Sequence, residues 1–253
     1  MIKISSVVLA KNEENNIARC IESQLNCIDE IIVLVDENSE DKTLEIVKSF
    51  PGVKYETVKW QGYGKTKQYG VGKATNDWIF WIDADEVITP ELERELLGFK
   101  KSNPSFEAYK VARKAYFLGK WIKHSGWYPG YVTRLFNKNS AGFNMNEVHE
   151  GLIVKGRTGI LKGDLEHYTD PDIKHYFEKF NRYTSLAAAE LAKGNKTFSL
   201  SDLLFRPVFI FIKMYIIKLG FLDGLHGFIL AVFSSLYVFT KYAKLWEINK
   251  NNG

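Results

Sequence analysis

Trp78-Ile79-Phe80-Trp81-Ile82-Asp83-Ala84-Asp85-Glu86 is the stretch from which the rest of the chain can be read. Its five apolar residues in succession, aromatic and β-branched, predict a strand buried on both faces, as in a parallel sheet. The strand runs straight into a cluster of three acids. Just beyond, Thr89-Pro90-Glu91 opens a helix, with Thr as N-cap, Pro in the first helical position and an acid in the first turn.

The same alternation extends upstream. Ile2–Leu9, Glu30–Val35 and Lys54–Val58 read as strands. Between them, Ile17, Cys20, Ile21 and Leu25 recur at helical spacing, with Asn15 or Asn16 as N-cap. Asp41 caps a helix carrying Leu44, Ile46 and Val47, and Lys65–Ala74 is a further helix. The expected class is α/β: a mostly parallel sheet with helices on both faces. From Ala108 to Tyr168 the pattern shifts to short strands, such as Tyr131–Phe136 and Gly151–Val154, broken by Gly, Asn and Pro. A helix follows over Ile173–Lys193, then a strongly apolar, aromatic segment, Leu203–Trp246. The expected division is a catalytic domain over 1–170, with halves 1–104 and 105–170, and a helical appendage over 171–253.

Acids and amides follow three of the strands directly: Asn12-Glu13-Glu14, Asp36 to Asp41, and Asp83 to Glu86. In an open α/β sheet, ligands bind outside the carboxyl ends of the strands. Oxygen-rich sites there suit Mg²⁺ or Mn²⁺, ions that share their shell with substrate phosphates. No GxGxxG follows the first strand and no GxxxxGK[ST] occurs, so dehydrogenase and P-loop readings are poor.

Composition narrows the class further. At 45% apolar and 25% charged, the 253 residues describe a globular chain. The net charge of +4 is spread along it rather than concentrated, which argues against a nucleic-acid partner and leaves a surface of acidic lipids as the better one. Cys20 and Cys27 form no CxxC pair and fit a reducing cytoplasm. The opening MIKISSVVLAKNEE reads as a first strand rather than a signal peptide.

The stretches SSVVLAKNEENNIARCIES, IIVLVDENSEDKTLEIVKSF and GYGKTKQYGVGKATNDWIFWIDADEVITPEL together resemble the donor half of glycosyltransferase family 2, whose fold is of the GT-A type. WIDADE, GKWIKHSGWYPGYVTRLF, NEVHEG and LEHYT look like small bacterial enzymes that glycosylate the lipopolysaccharide inner core. The family's DSGSTDGT turn is matched at Asp36, Ser39, Asp41 and Thr43, but its glycines are replaced. The resemblance implies an inverting transfer from a nucleotide-diphosphate sugar, UDP favoured, to a saccharide or glycolipid. It implies that Asp85 ligates the metal, with Asp83 facing the donor ribose or the metal's waters. Asp36 meets the base edge and Glu13 the base or ribose, with Lys67 near the nucleotide and Arg134 on the diphosphate. Glu150 is the general base, Glu147 its rival, and His149 a metal ligand or the group that orients Glu150. His167 is a second histidine near the diphosphate. Glu86 reads equally as support for the site or as a solvated acid.

Lys110–Tyr131 interleaves cations with Tyr116, Phe117, Trp121, Trp127 and Tyr128, as a sugar-contacting surface would. In Leu203–Trp246 no apolar run reaches about 18 residues, the length of a membrane span. Lysines beside aromatics there read as an interfacial helix on the inner face of the cytoplasmic membrane, or as a helical pair packing within the protein or in a homodimer. Three other functions compete, of which a nucleotidyltransferase on a related fold would want a Gly-rich basic loop after the first strand, which KNEENN is not. Asp83-Ala84-Asp85-Glu86-Val87 also fits the DxDx[TV] nucleophile motif of haloacid-dehalogenase-like phosphohydrolases, and a non-catalytic binding protein remains open.

Overall fold

The computed structural model describes residues 1–144 and 151–251, except for the side chain of Tyr63. The chain divides into two compact units, one of residues 1–113 with 131–167, the other of residues 114–130 with 168–253.

The first unit opens with three strand–helix repeats. These are β1 (Ile4–Ala10), α1 (Ile17–Glu22), β2 (Glu30–Asp36), α2 (Thr43–Lys48), β3 (Lys54–Val58) and α3 (Tyr63–Lys73). Then come β4 (Trp78–Asp83), β5 (Glu86–Ile88) and α4 (Pro90–Phe99). Thr89 caps α4 as its sequence demands, accepting from the Leu92 amide at 3.3 Å. Asn16 occupies the N-cap of α1 without a side-chain capping bond, its amide donating instead to Glu13.

Later strands are β6 (Ala108–Phe117), β7 (Lys120–Trp121), β8 (Gly130–Asn137), β9 (Ala141–Phe143), β10 (Leu152–Val154) and β11 (Thr158–Asp170). The sheet order is β3-β2-β1-β4-β8-β6-β11-β5, with β7 on β6, while β9 and β10 form a separate antiparallel pair. The parallel part is β3-β2-β1-β4. β8 joins β4 antiparallel, and β5 joins β11 antiparallel.

Strand alternation explains the two cores. Ile4 and Val8, Ile31, Val33 and Val35, and Trp78, Phe80 and Ile82 share one face, packed with Ile17, Ile21, Val47, Leu92 and Leu96 of the helices. Val7, Ile32, Leu34, Ile79 and Trp81 point the other way, with Val71 of α3 and partly buried Phe143, Leu152 and Val154. By this parity Asp83, next after Ile82, falls on the second face.

The second unit holds α5 (Ile173–Lys193), α6 (Leu200–Ile212), a π-helical turn over Lys213–Ile217, a 3-10 turn over Gly220–Asp223, and α7 (Leu225–Asn251). Residues 114–130, grouped with the acceptor half on sequence, belong to this unit because Phe117 and Ile122 are buried with Leu230 of α7. Its anchor is Asp223, buried, whose carboxylate accepts from the Lys123 and His124 amides at 3.2 and 2.9 Å. Where the sequence showed only a broken apolar segment, α7 is one helix, long and apolar enough by length and composition to cross a membrane.

Candidate active site

The site is assembled at the carboxyl ends of β1, β2 and β4. In the first loop, Asn12 takes a left-handed backbone, φ 54°, a conformation that asparagine tolerates better than most residues. Its Oδ1 accepts from the Glu40 amide at 2.8 Å. The Glu13 amide donates to Thr43 Oγ1 at 2.7 Å, the Glu14 amide to Asp41 at 2.9 Å, and the Lys42 amide to Glu14 at 3.1 Å. Side chains thus tie the two loops together where the family's turn has glycines. Asp36 is buried at the end of β2, its Oδ1 accepting from the Asn38 amide at 2.8 Å and its Oδ2 facing the half-exposed Lys11 ammonium at 3.2 Å. Burial pushes the Asp36 carboxyl up, but the Asn38 amide and Lys11 outweigh it and hold the group below the usual carboxylate range.

At the end of β4 the acids meet cations from the strands beyond. The register of β8 on β4 pairs Leu135 with Phe80, which carries Arg134 to the acidic turn. The Arg134 guanidinium donates to Asp83 Oδ2, and to Glu86 Oε1 at 2.5 Å. Glu86 also accepts from the Asp83 amide at 3.2 Å, and Arg113 Nη1 lies 3.8 Å from it. The pairing of β5 with β11 sets His167 opposite Glu86, and His167 Nε2 lies 3.3 Å from Asp85 Oδ2. Lys67 sits over the Trp81 ring at 4.7 Å and the Phe143 ring at 5.6 Å. Lost hydration pushes the Asp83 carboxyl up, but Arg134 and Lys67 together hold it low. Glu86 goes the other way: burial raises it, with Asp83 adding to the rise, despite Arg134.

Asp83, Asp85, Arg134 and His167 therefore come together with Lys67, while Asp36 and Glu13 stand on the interlocked loops of β1 and β2. Glu147, His149 and Glu150 lie outside the described residues. Glu86 is no solvated acid: it is fully buried in its own short strand. Lys11 and Arg113 were not foreseen in these roles, and nothing in their local sequence marks them out. Among the described residues no three His, Cys, Asp or Glu side chains converge as a complete metal cage. Asp85 and His167 supply two, which fits a divalent ion that fills its remaining positions with phosphate oxygens and water.

Residues 5–185 match the model of glycosyl transferase family 2. The chain belongs to that family. An uncharacterized glycosyltransferase of Rickettsia typhi is 32% identical over 98% of this chain and 88% of its own length. A lipopolysaccharide core biosynthesis glycosyltransferase of Rhizobium meliloti is 28% identical over 97% of this chain and 93% of its own. A mannosyltransferase of Pyrobaculum calidifontis, solved with GDP-Man and Mn²⁺, shares the fold at a TM-score of 0.56 and 12% identity, over 97% of this chain and 87% of that one. As a family 2 glycosyltransferase of GT-A fold, the chain is not read as a phosphohydrolase. Its acidic pair ends the fourth strand, whereas that alternative needs the motif on the first core strand.

Proposed function

We propose that this glycosyltransferase moves a sugar, with inversion, from a nucleotide diphosphate to a saccharide or glycolipid acceptor of the lipopolysaccharide core or a related envelope glycan. The donor is a UDP-sugar, the cofactor Mg²⁺ or Mn²⁺, and the place of action the inner face of the cytoplasmic membrane. The observation that carries this reading is the gathering of Asp83, Asp85, Arg134 and His167 at one strand end. The role of the Rhizobium relative supports the acceptor class.

Asp36 accepts from the base edge and Glu13 bonds base or ribose. Asp83 orients the ribose or the metal's waters, while Arg134 and Lys67 balance the diphosphate. Asp85 and His167 hold the divalent ion, with His149 completing its shell or orienting Glu150. When bound, that ion neutralises the diphosphate and stabilises it as the leaving group. Glu150 takes the proton of the acceptor hydroxyl as that oxygen bonds the anomeric carbon and the diphosphate departs.

A thermal-shift screen of nucleotide sugars with and without Mn²⁺ tests the donor site, because a ligand bound only by the folded state raises the melting temperature. A UDP-sugar with Mn²⁺ should raise it most. Undiminished transfer in excess EDTA removes the metal from the reading. Glu150→Gln should slow transfer about 10²–10⁴-fold with the donor shift intact. Near-normal turnover there, with collapse in Glu147→Gln, moves the base to Glu147.

A further inference from the structure

Helix α6 and the π-turn after it carry large apolar side chains on the outside of the second unit. Leu204, Val208, Ile212 and Ile216 are all exposed and follow one another at four-residue spacing, so they form a single stripe. Phe205 and Phe209, 70% and 57% exposed, widen it. A contiguous apolar patch of this kind marks an interaction surface rather than ordinary scatter. Its charge is net positive, the one acid of α6, Asp202, being held by Lys196 and Arg206 at 2.9 and 2.5 Å. Between Leu203 and Trp246 the sequence has one acid, Asp223, and that carboxylate is buried under the Lys123–His124 backbone. Lys213 opens the π-helical turn that continues α6 and Lys218 follows it, and both are exposed.

We propose that this stripe docks on an anionic lipid surface, with α6 lying in the plane of the interface and Lys213 and Lys218 reaching the headgroups. The idea rests on the proposed function only in that a glycolipid acceptor is met there. Apolar burial and attraction to anionic lipid act together in such helices.

The charge pattern argues against a second copy as the occupant. A two-fold interface sets a patch against itself, so a pair would gather Lys213 and Lys218 of both copies at one interface, while the one acid of α6, Asp202, is already held by Lys196 and Arg206. Length and charge argue against crossing by α6, whose 13 residues and the 5 of the π-turn after it still fall short of the about 20 that a span needs and include Arg206 and Lys213. α7 is long enough, but Leu230, Tyr242 and Leu245 are buried within the unit. Insertion of α7 would strip those contacts, whereas docking of α6 disturbs none.

The test is sedimentation of the full-length chain with phosphatidylcholine vesicles, alone or containing phosphatidylglycerol, at low and high salt. The parent should pellet with the anionic vesicles, less so at high salt as screening weakens the charge term. Lys213→Gln/Lys218→Gln should weaken partition about thirtyfold, the loss of two lysines' attraction at about 1 kcal/mol each. Phe205→Glu/Phe209→Glu should abolish most of it. Circular dichroism checks that both variants are folded, and a retained nucleotide thermal shift keeps this test separate from that of sugar transfer. Parent protein that stays in the supernatant, or variants that pellet equally, overturn the proposal. So does a parent dimer that the phenylalanine variant splits without any vesicle binding, an outcome that gives the face to a second copy.

Discussion

The two ends of the parallel sheet treat carboxylates in opposite ways. At the amino end, Glu30 is saturated: the Ser5 hydroxyl donates to it, Lys54 lies at 2.6 Å, and the Thr75 amide and hydroxyl both donate at 2.9 Å. At the carboxyl end, Asp83, Asp85 and Glu86 crowd one turn, where Asp83 and Glu86 share the Arg134 guanidinium and Asp85 faces His167. Burial pushes the Glu30 carboxyl up, but Lys54, Ser5 and Thr75 outweigh it and bring it to about 2. Glu86 instead is raised by burial, and both Asp83 and Asp85 add to the rise. The first arrangement serves the fold. The second packs three acids at one strand end against Arg134, Arg113, Lys67 and His167, and still leaves the buried Glu86 carboxyl raised.

The comparison breaks most sharply at Arg134. Arg134→Leu leaves Asp83 and buried Glu86 without their shared partner, and loss of one side of a buried ion pair typically destabilises by about 3–5 kcal/mol. Urea denaturation should show a loss of that size. Unchanged stability would mean that the carboxyl-end acids do not depend on this guanidinium.

Glu30→Gln probes the other end with a smaller effect, on the order of 2 kcal/mol at neutral pH. Its sign in pH is fixed. A carboxyl whose folded value lies near 2, below its ordinary 4.5, contributes fully above about pH 4.5 and loses that contribution as pH falls toward 2. The gap between parent and variant should therefore close across this window. A gap that stays constant from pH 7 to pH 2 would show that Glu30 acts by packing and not by charge.

Much of this architecture could be read from local sequence, because its signals are local. The alternation of Ile31 to Val35 and of Trp78 to Ile82 set two buried faces, and Thr89-Pro90 announced α4. The α5 bounds, Ile173–Lys193, follow from helical spacing alone. Glu86 shows where such reading stops. Beside Asp85 it looks like one more turn acid, and its burial rests on Arg134, forty-eight residues away, and on Arg113. The same holds for the clamp of Asp223 on residues 123 and 124, a hundred residues distant. The pairing of His167 with Asp85 required the register of β11 on β5, which no motif encodes. The apolar count over Leu203–Trp246 hid an unbroken α7, because isolated polar residues that interrupt a run do not interrupt a helix.

The smallest effect is the most discriminating. Asp85 sits among acids, and its charge raises both Glu86 and the buried Cys20 thiol. Asp85→Asn keeps the shape of the side chain and removes that repulsion. Against this stands, among the described residues, the contact with His167, a partly buried pair of the kind whose net value is small. In chelator, the variant should melt at the parent's temperature or slightly above it, a change within about 1 kcal/mol. With Mn²⁺ and a nucleotide sugar the order should reverse, the parent rising by mass action while the variant gains little. A carboxylate that served the fold, as Glu30 does, would behave oppositely, lowering the melting temperature when replaced whether or not ligand is present. If Asp85→Asn destabilises the ligand-free protein by as much as Glu30→Gln does, the carboxyl end is a second structural clamp and the contrast between the two ends of the sheet fails.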